Sequence, residues 1–580
     1  MSRNDEIADR LEEFADRLEA DGVEYKPRAY RRAAENVRDS PADVAGLAAD
    51  DGEAAIGEIE GVGDAISAKI VEYVETGEIE ELEALRAEMP VDIGALTRVE
   101  GVGPKTVGSL YEALGVETLD DLEAAAEAEE IRDVSGFGAK TEGNILENIE
   151  FAREATEREL LGEARPRGEG VVSYLDGQSG VERIDLAGSL RRWKETIGDV
   201  DVLVGSDDAE AVVAAFVDWP EADAVIEAGD QKASVRSGEV RVDLRVVDPA
   251  EFGSALQYFT GSKDHNVKLR NVAIEADLKM NEYGVFDVSD VDDPDADQRA
   301  GERVAGETEA GMYEALDLPW MPPEIRENWG EIEAAQAGEL PDLVEPSAIR
   351  GDLHTHTGWS DGDHTVAEMV EGAAAFGHDY VAITDHATGP GMVGGVGVPD
   401  EELREQLEEV RAVADEADIE VFSGVEANVG TDGSVSVADD LLAELDVVVA
   451  SPHAGLDGDG TDRLVAAAEH PEVDIIGHPT GRYINQRSGL DVDVERLASA
   501  AAESDTALEV NSNPARLDLG GGAVKAAVDS GATIAVDTDA HRPESYELVR
   551  YGVHTARRGW AQQTDVLNTR GVEGLREFLE

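Results

Sequence analysis

Residues 188–204 read GSLRRWKETIGDVDVLV, and this stretch decides the architecture of the N-terminal half of the chain. Its end, VDVLVG, alternates apolar and polar residues and predicts a strand, whose period of two puts Asp199 and Asp201 on one face. Two clustered carboxylates are the hard oxygen ligands that a pair of Mg²⁺ ions needs to bridge a triphosphate and activate a hydroxyl. The spacing alone decides little, because Asp295-Ala296-Asp297, Asp457-Gly458-Asp459, Asp491-Val492-Asp493 and Asp537-Thr538-Asp539 share it, and an isolated copy reads as a solvated acidic turn. Context separates the first pair from the rest: Gly188-Ser189 stands ten residues upstream, Arg191-Arg192 intervene, and Gly198 directly precedes Asp199. A third carboxylate belongs on a neighbouring strand. In EVRVDLRVV, Val240, Val242 and Leu244 share one face and Arg241, Asp243 and Arg245 the other, so Asp243 is the candidate. Arg245 is placed to pair with the aspartates, or to neutralise charge in the ordinary way.

Working outward, 580 residues exceed one hydrophobic core, and two to four domains follow. With 42% apolar residues and no apolar run long enough for a membrane span, the chain reads as folded and cytoplasmic. Its charged opening, MSRNDEIADRLEEF, does not resemble a secretory signal. There is no cysteine, so any metal falls to His, Asp or Glu. The net charge of −81, with only ten lysines, fits a high-salt cytoplasm of the kind found in halophilic archaea, where screening leaves a nucleic-acid binder only local basic patches.

Residues 1–155 read as short amphipathic helices punctuated by three Gly-x-Gly turns: Gly61-Val62-Gly63, Gly101-Val102-Gly103 and Gly136-Phe137-Gly138. Such a turn opening a helix offers backbone N–H groups to a phosphate, although a single copy is more often a plain cap. Lys105 and Lys140 follow two of the turns at matching places, which points to non-specific binding of a DNA backbone. Strands dominate from about 180 to 290, and a proline-rich stretch near 325–348 is read as the main linker. Ten of eleven histidines lie after it. There YVAITDH, IEVFSGVEAN, DVVVASPHAG, VDIIGHPTG, ALEVNSN and TIAVDTDAH alternate with helical stretches, which predicts a parallel α/β fold with polar residues at the C-terminal ends of the strands.

The glycine turns, GSLRRWKETIGDVDVLV and YFTGSKDHNVKLR (258–270) together resemble the family X DNA polymerases of bacterial and archaeal type over residues 1–330. The resemblance implies that Asp199, Asp201 and Asp243 bind Mg²⁺ or Mn²⁺, and that Gly188, Ser189, Arg192 and Gly198 contact the incoming triphosphate. It also implies that Tyr258, Phe259 and Gly261 flank the nucleotide sugar, Asn266 reads the minor-groove edge and Arg270 probes the template side. Core packing is the alternative for the two aromatics. Lys69 matches a lyase nucleophile of some relatives, but the companion lysine is here Ala65, and a phosphate contact is an equal reading.

DLHTHTGWSDG (352–362) and the histidines closing the later strands resemble the polymerase and histidinol phosphatase (PHP) domain, a distorted βα-barrel. The implied ligands are His354, His356, Asp361, His386, Glu426, His453, His478, Asp539 and His541, enough for up to three Mn²⁺ or Zn²⁺ ions. Asp385 would orient neighbouring groups, and Arg482 or Arg516 would meet a substrate phosphate. His364, His378, His470 and His554 lie off the motifs and are assigned to the surface.

The resulting domain expectation is a lyase-like helix-hairpin-helix domain (1–85), a second helix-hairpin-helix domain (86–155), an α+β nucleotidyltransferase palm (156–255), a thumb-like domain (256–325), a linker (326–347) and a (β/α)7 PHP barrel (348–580). The expected function is gap-filling DNA polymerisation by a monomer, from deoxynucleoside triphosphates on gapped or primer-template DNA. A 3′–5′ exonuclease or phosphoesterase joins it, with abasic-site or 3′-phosphate processing left open. A DNA-end scaffold and a small-molecule phosphatase are the rival readings.

Overall fold

The structure is a computed structural model that describes all residues except 1–2, 24–25, 39–43, 58, 60, 78, 100, 135, 239, 295, 393–395 and 580. Asp295 of the Asp295-Ala296-Asp297 pair therefore lies outside the described residues. The chain divides into two compact units, residues 1–157 with 485–487, and residues 158–484 with 488–580.

The first unit is helical. Ile7, Leu11, Phe14, Tyr30, Ile56 and Ile70 form one core, and Leu96, Val107, Leu110, Leu122 and Ile145 a second. All three glycine turns have one local geometry. Gly61, Gly101 and Gly136 take left-handed φ values of +75°, +82° and +98°, a region glycine enters at no steric cost. Gly63 and Gly103 then cap the helices Asp64–Thr76 and Pro104–Leu114, while Val62 and Val102 turn into the cores. A Cβ at Gly63, Gly101, Gly103, Gly136 or Gly138 would meet nothing within 4 Å, so these turns are open to an approaching backbone. Lys105 and Lys140 are exposed beside them.

In the second unit a two-residue pairing of β1 (Glu159–Leu160) with β3 (Thr196–Ile197) adjoins a five-stranded sheet. That sheet holds β2 (Arg183–Leu186), β4 (Val200–Gly205), β5 (Ala224–Ala228), β6 (Lys232–Ser237) and β7 (Val240–Val247), in the order β2-β4-β7-β6-β5. The apolar face expected from strand period carries Val202, Val204, Val242 and Leu244, which pack on helices Leu161–Asp176 and Ala209–Val217. Burial of this kind stabilises by roughly 1.5–3 kcal/mol per large side chain. A three-stranded antiparallel sheet follows, made of β8 (Leu278–Asn281), β9 (Gly284–Asp287) and β10 (Glu302–Ala305).

The proline-rich stretch is not a loose tether. It forms a helix, Glu331–Ala337, it buries Arg326 completely, and Val344 N–H donates to the Ala561 carbonyl at 3.0 Å. Beyond it, β11 (Gly351–Asp352), β12 (Tyr380–Ile383), β13 (Glu420–Asn428), β14 (Val447–Ser451), β15 (Ile475–Ile476), β16 (Ala507–Asn511) and β17 (Thr533–Asp537) pair in sequence order, all parallel. A parallel bridge between Thr355 and Ala540 nearly closes the ring, with His356 N–H donating to Ala540 O at 2.8 Å. The (β/α)7 expectation holds.

Two histidines correct the surface assignment. His378 is buried against Phe376 and Tyr546, with ring centroids 4.9 and 5.4 Å away. His554 stacks on Trp193 of the palm at 3.6 Å and 5°, and its Nδ1 lies 2.9 Å from Glu324 Oε1. His554 lies on the helix Val549–Arg558 and His378 just past the cap Gly377 of the helix Val366–Phe376, places that local sequence does not separate from exposed ones.

Two candidate metal centres

The first centre lies on the open face of the five-stranded sheet. Strands β4 and β7 run parallel with Asp201 directly opposite Asp243, and Asp199 immediately precedes β4. Carboxylate oxygens of the three lie within 4.8 Å of one another. Burial and, after it, the Asp199 and Asp243 charges push the Asp201 carboxyl up to about 7, and burial with the Asp243 charge raises Asp199 as well. Carboxylates that penalise each other's ionisation in this way fit a site completed by a divalent cation. Below the raised Asp201 value a proton competes with the ion, so apparent Mg²⁺ affinity at the palm should climb as pH rises from 6 to 8. A Mg²⁺ titration of primer extension at fixed ionic strength checks this, and Asp243→Asn should shift the dependence toward acid.

Gly188 opens the short helix Gly188–Arg191 with φ of +60°, and a Cβ there would fall 2.1 Å from Asp201 Oδ2. The helix N-terminus is thus pressed against the carboxylate as only glycine allows. Gly188→Ala should lower primer extension by about a hundredfold or more while leaving the barrel activity intact, as parallel assays of one preparation would show. A cavity of about 340 Å³, lined by Asp201, Asp243, Lys232, Ser234, Arg245 and Phe259, opens beside the aspartates.

Arg241, not Arg245, makes the ion pair with Asp243, at 2.8 Å. Arg245 instead lies over the Phe259 ring at 4.2 Å and acts on Asp201 only through space. Tyr258 meets Phe259 edge-on at 5.1 Å and both are half-buried; Phe259 packs against the cluster of Leu203, Phe252, Ala255 and Leu256 and also lines the cavity. Asn266 donates to Tyr258 O at 2.7 Å and accepts from Gln257 at 2.8 Å, while Arg270 is exposed. Arg192 donates to the Thr260 carbonyl and, through Nε at 3.0 Å, to Glu327. A Cβ on Gly261, at φ +71°, would come 3.1 Å from that guanidinium. Ser189 and Gly198 both precede the aspartates in sequence, and Gly198 is exposed. Lys69, in the first unit, ion-pairs with Glu81 at 2.5 Å beside the Phe14 ring.

The second centre is the mouth of the barrel, where the nine expected residues gather. His354, His386, His453, His478, Asp539 and His541 follow strand ends, and Glu426 projects from β13. Glu426 is the hub: Oε1 lies 3.0 Å from His478 Nε2, 3.3 Å from His453 Nε2 and 3.4 Å from His354 Nε2, and Oε2 meets His386 and lies 3.8 Å from His356 Nε2. Asp361 reaches His541 at 3.2 Å and His386 at 3.3 Å, and Asp539 reaches His356 at 3.0 Å. Yet His354 Nε2, both His356 nitrogens, His386 Nδ1, His453 Nε2 and both Glu426 oxygens are buried without a hydrogen bond of proper geometry. Lone pairs aimed at common points and left unsatisfied are what a metal-binding donor set presents. Burial opposes ionisation of Glu426 and Asp539, but the surrounding imidazoles hold both well below the carboxylate range. His478 and Asp539 also adopt left-handed backbone, φ +25° and +54°, a strain of about 1–3 kcal/mol each that clusters at functional sites.

The outer nitrogens are fixed by residues that motif reading overlooked. Glu509 accepts from His354 Nδ1 at 2.6 Å and from the His478 backbone, and Asn428 lies 2.8 Å from His453 Nδ1. Asn511 donates to Asp539 at 3.0 Å. Asp385 accepts from Thr357, Ser360 and Gln406 behind the site. The one available signal was position: Glu509 and Asn511 share a strand face. Arg516 has its Nε buried and unbonded 3.9 Å from Asp539. Arg482 donates to the Arg516 and Leu517 carbonyls of the barrel domain, the first at 2.8 Å, and to Glu195 of the palm at 2.8 Å, so its guanidinium is already engaged.

Together the sheet, its carboxylate triad and the ringed histidines define a class, a nucleotidyltransferase palm fused to a PHP phosphoesterase barrel. Comparison agrees: residues 2–79 match the helix-hairpin-helix domain family, 93–150 the SAM-like helix-hairpin-helix tandem, 255–327 the DNA polymerase beta thumb and 352–513 the PHP domain. The DNA polymerase/3′-5′ exonuclease PolX of Bacillus subtilis (strain 168) is 36% identical over 529 residues, 90% of each chain. DNA polymerase lambda of Rattus norvegicus is 25% identical over 342 residues, 55% of this chain and 56% of its own. A probable phosphatase of Caldanaerobacter subterraneus subsp. tengcongensis is 32% identical over 208 residues, 33% of this chain and 75% of its own. The chain belongs to the PolX family, the family X DNA polymerases that carry a C-terminal PHP domain.

Proposed function

We propose that this protein is a DNA-directed DNA polymerase that fills short gaps during repair and trims 3′ ends with its barrel. The observation that carries the reading is that one chain holds both donor sets complete, the triad of Asp199, Asp201 and Asp243 and the nine residues around Glu426. Divalent ions, Mg²⁺ or Mn²⁺ at the palm and Mn²⁺ or Zn²⁺ at the barrel, supply charge neutralisation for the nucleotide phosphates and polarisation of a scissile phosphate.

The chain's own groups do the rest. Asp243 is positioned opposite Asp201 to take the proton of a primer 3′ hydroxyl, while Arg192, Ser189 and Gly188 receive the triphosphate. Tyr258, Phe259 and Gly261 form the platform for the sugar, and Asn266 and Arg270 face the paired bases. At the barrel, Arg516 carries an unbonded guanidinium N–H beside Asp539, suited to an oxygen of the phosphate being cleaved. The open glycine turns with Lys105 and Lys140 hold the DNA backbone without a basic surface. No described helix is long and apolar enough to cross a membrane.

The test is a labelled gapped duplex in molar KCl, the medium that a charge of −81 fits, with Mg²⁺ or Mn²⁺ and with or without nucleotides. Extension with nucleotides and 3′ shortening without them are expected. Duplexes ending in a 3′ phosphate or carrying an abasic site, and small phosphomonoesters, would show whether the barrel accepts them. Absence of both extension and shortening would reject the assignment.

A further inference from the structure

The loop that joins the palm's Gly188-Ser189 to Asp199 is held from outside the palm. Helix Val549–Arg558 of the barrel domain presents Tyr551, His554 and Arg558 on one side, at helical spacings of three and four residues. Trp193 of the loop is clasped there: His554 stacks on its ring at 3.6 Å, Tyr551 meets it edge-on at 6.0 Å, and the palm's Arg165 covers the indole at 3.9 Å. One residue earlier, the Arg192 carbonyl accepts from Arg558 Nη1 at 2.7 Å. Two residues later, Glu195 takes the Arg482 guanidinium at 2.8 Å.

Within this clasp one carboxylate serves two guanidinium groups. Glu327 Oε1 accepts from Arg192 Nε at 3.0 Å and from Arg558 Nη1 at 3.1 Å. All three side chains are largely buried, with exposures of 13% for Arg192, 11% for Glu327 and 6% for Arg558, so water screens them little. Room for Arg558 depends on Gly521, where a Cβ would come 2.8 Å from the arginine's own. The cluster carries two positive charges against one negative; Lys194 nearby adds a third cation, and Glu195, already held by Arg482, a second carboxylate. The remaining excess of positive charge suits an anion.

We propose that Arg558 and Glu327 are positioning residues for the polymerase reaction: Arg558, supplied by the barrel domain, occupies Glu327 and so keeps Arg192 available to the triphosphate of an incoming nucleotide. This rests on the polymerase reading of the palm. Without Arg558, Glu327 becomes the private partner of Arg192, and an incoming nucleotide must break a buried ion pair before it binds. Without the Glu327 charge, Arg192 has no competitor. The barrel thereby sets nucleotide affinity in the palm through one shared carboxylate, independently of its own chemistry.

The test is steady-state primer extension on a gapped duplex by the full-length protein, with 3′–5′ shortening measured on each preparation as a folding control. Arg558→Ala should raise the nucleotide KM by about tenfold with kcat changed less than about threefold, whereas Glu327→Gln should lower KM. The double variant should return to the KM of Glu327→Gln, because the competitor that Arg558 restrains is gone. A purely structural role predicts otherwise: Arg558→Ala would lower kcat, and Glu327→Gln would not rescue it. Unchanged KM in Arg558→Ala, or a raised KM in Glu327→Gln, would overturn the proposal. Glu327→Gln is near-isosteric and keeps the test decisive if the arginine variant folds poorly. A wild-type protein that never extends a primer would instead sink the polymerase reading itself.

Discussion

Glu426→Gln should reduce 3′ shortening by about three orders of magnitude or more while primer extension stays within about twofold of wild type. Among the described residues of the barrel mouth, this is the only side chain whose two oxygens face five different imidazoles, at 3.0–3.8 Å for four of them and closer for His386. An amide replaces one oxygen with an N–H donor, which cannot ligate, and removes the negative charge that balances a multi-cation site. Metal content of the purified protein, measured by elemental analysis, should fall in parallel. Full retention of metal and of shortening would show that the barrel centre is built on other residues. Glu509→Gln should act more mildly, by about 10–100-fold, since Glu509 only orients His354 and the His478 backbone.

Asp201→Asn should abolish primer extension to below about one part in a thousand and leave shortening untouched. The same change should stabilise the metal-free protein. Asp201 titrates near 7 in the fold, raised by burial and by Asp199 and Asp243, against about 4 in an unfolded chain. A carboxyl whose folded value is raised costs stability as pH climbs from about 4 through 7, and the full cost is present above that. Removing the charge therefore raises the melting temperature in EDTA at pH 8, and the gain should vanish at pH 4. Loss of activity with gain of stability is the mark of a site held under electrostatic strain for function. A variant both inactive and less stable in EDTA would identify Asp201 as a structural group.

Much of the site was legible in local sequence, for a definite reason. Strand period two places Asp199 and Asp201 on one face and Asp243 on the matching face of another strand, and the structure pairs Asp201 with Asp243 across β4 and β7. The barrel ligands were legible through the resemblance to the PHP domain, and most of them follow apolar strands whose parallel order brings their C-terminal ends to one mouth. The glycine turns were equally local, each needing one left-handed residue before a helix.

Other features lay beyond any pattern in the chain. His554 and His378 sit on segments that look exposed and are covered only when distant elements pack over them. Arg482 follows a ligand histidine closely enough to suggest a phosphate contact, but its partner is Glu195, 287 residues away. Arg245 and Arg241 share a strand face, and which of them pairs with Asp243 was settled by the Phe259 ring that Arg245 covers.

By itself, the sequence determined the donor atoms, their placement on strand faces and strand ends, and the glycines that admit a close neighbour. Only the tertiary structure decided which charges meet. Glu509 orients His354 across 155 residues and Arg558 shares Glu327 with Arg192 across 231, because side-chain periodicity is a property of single elements, whereas ion pairing depends on how those elements dock.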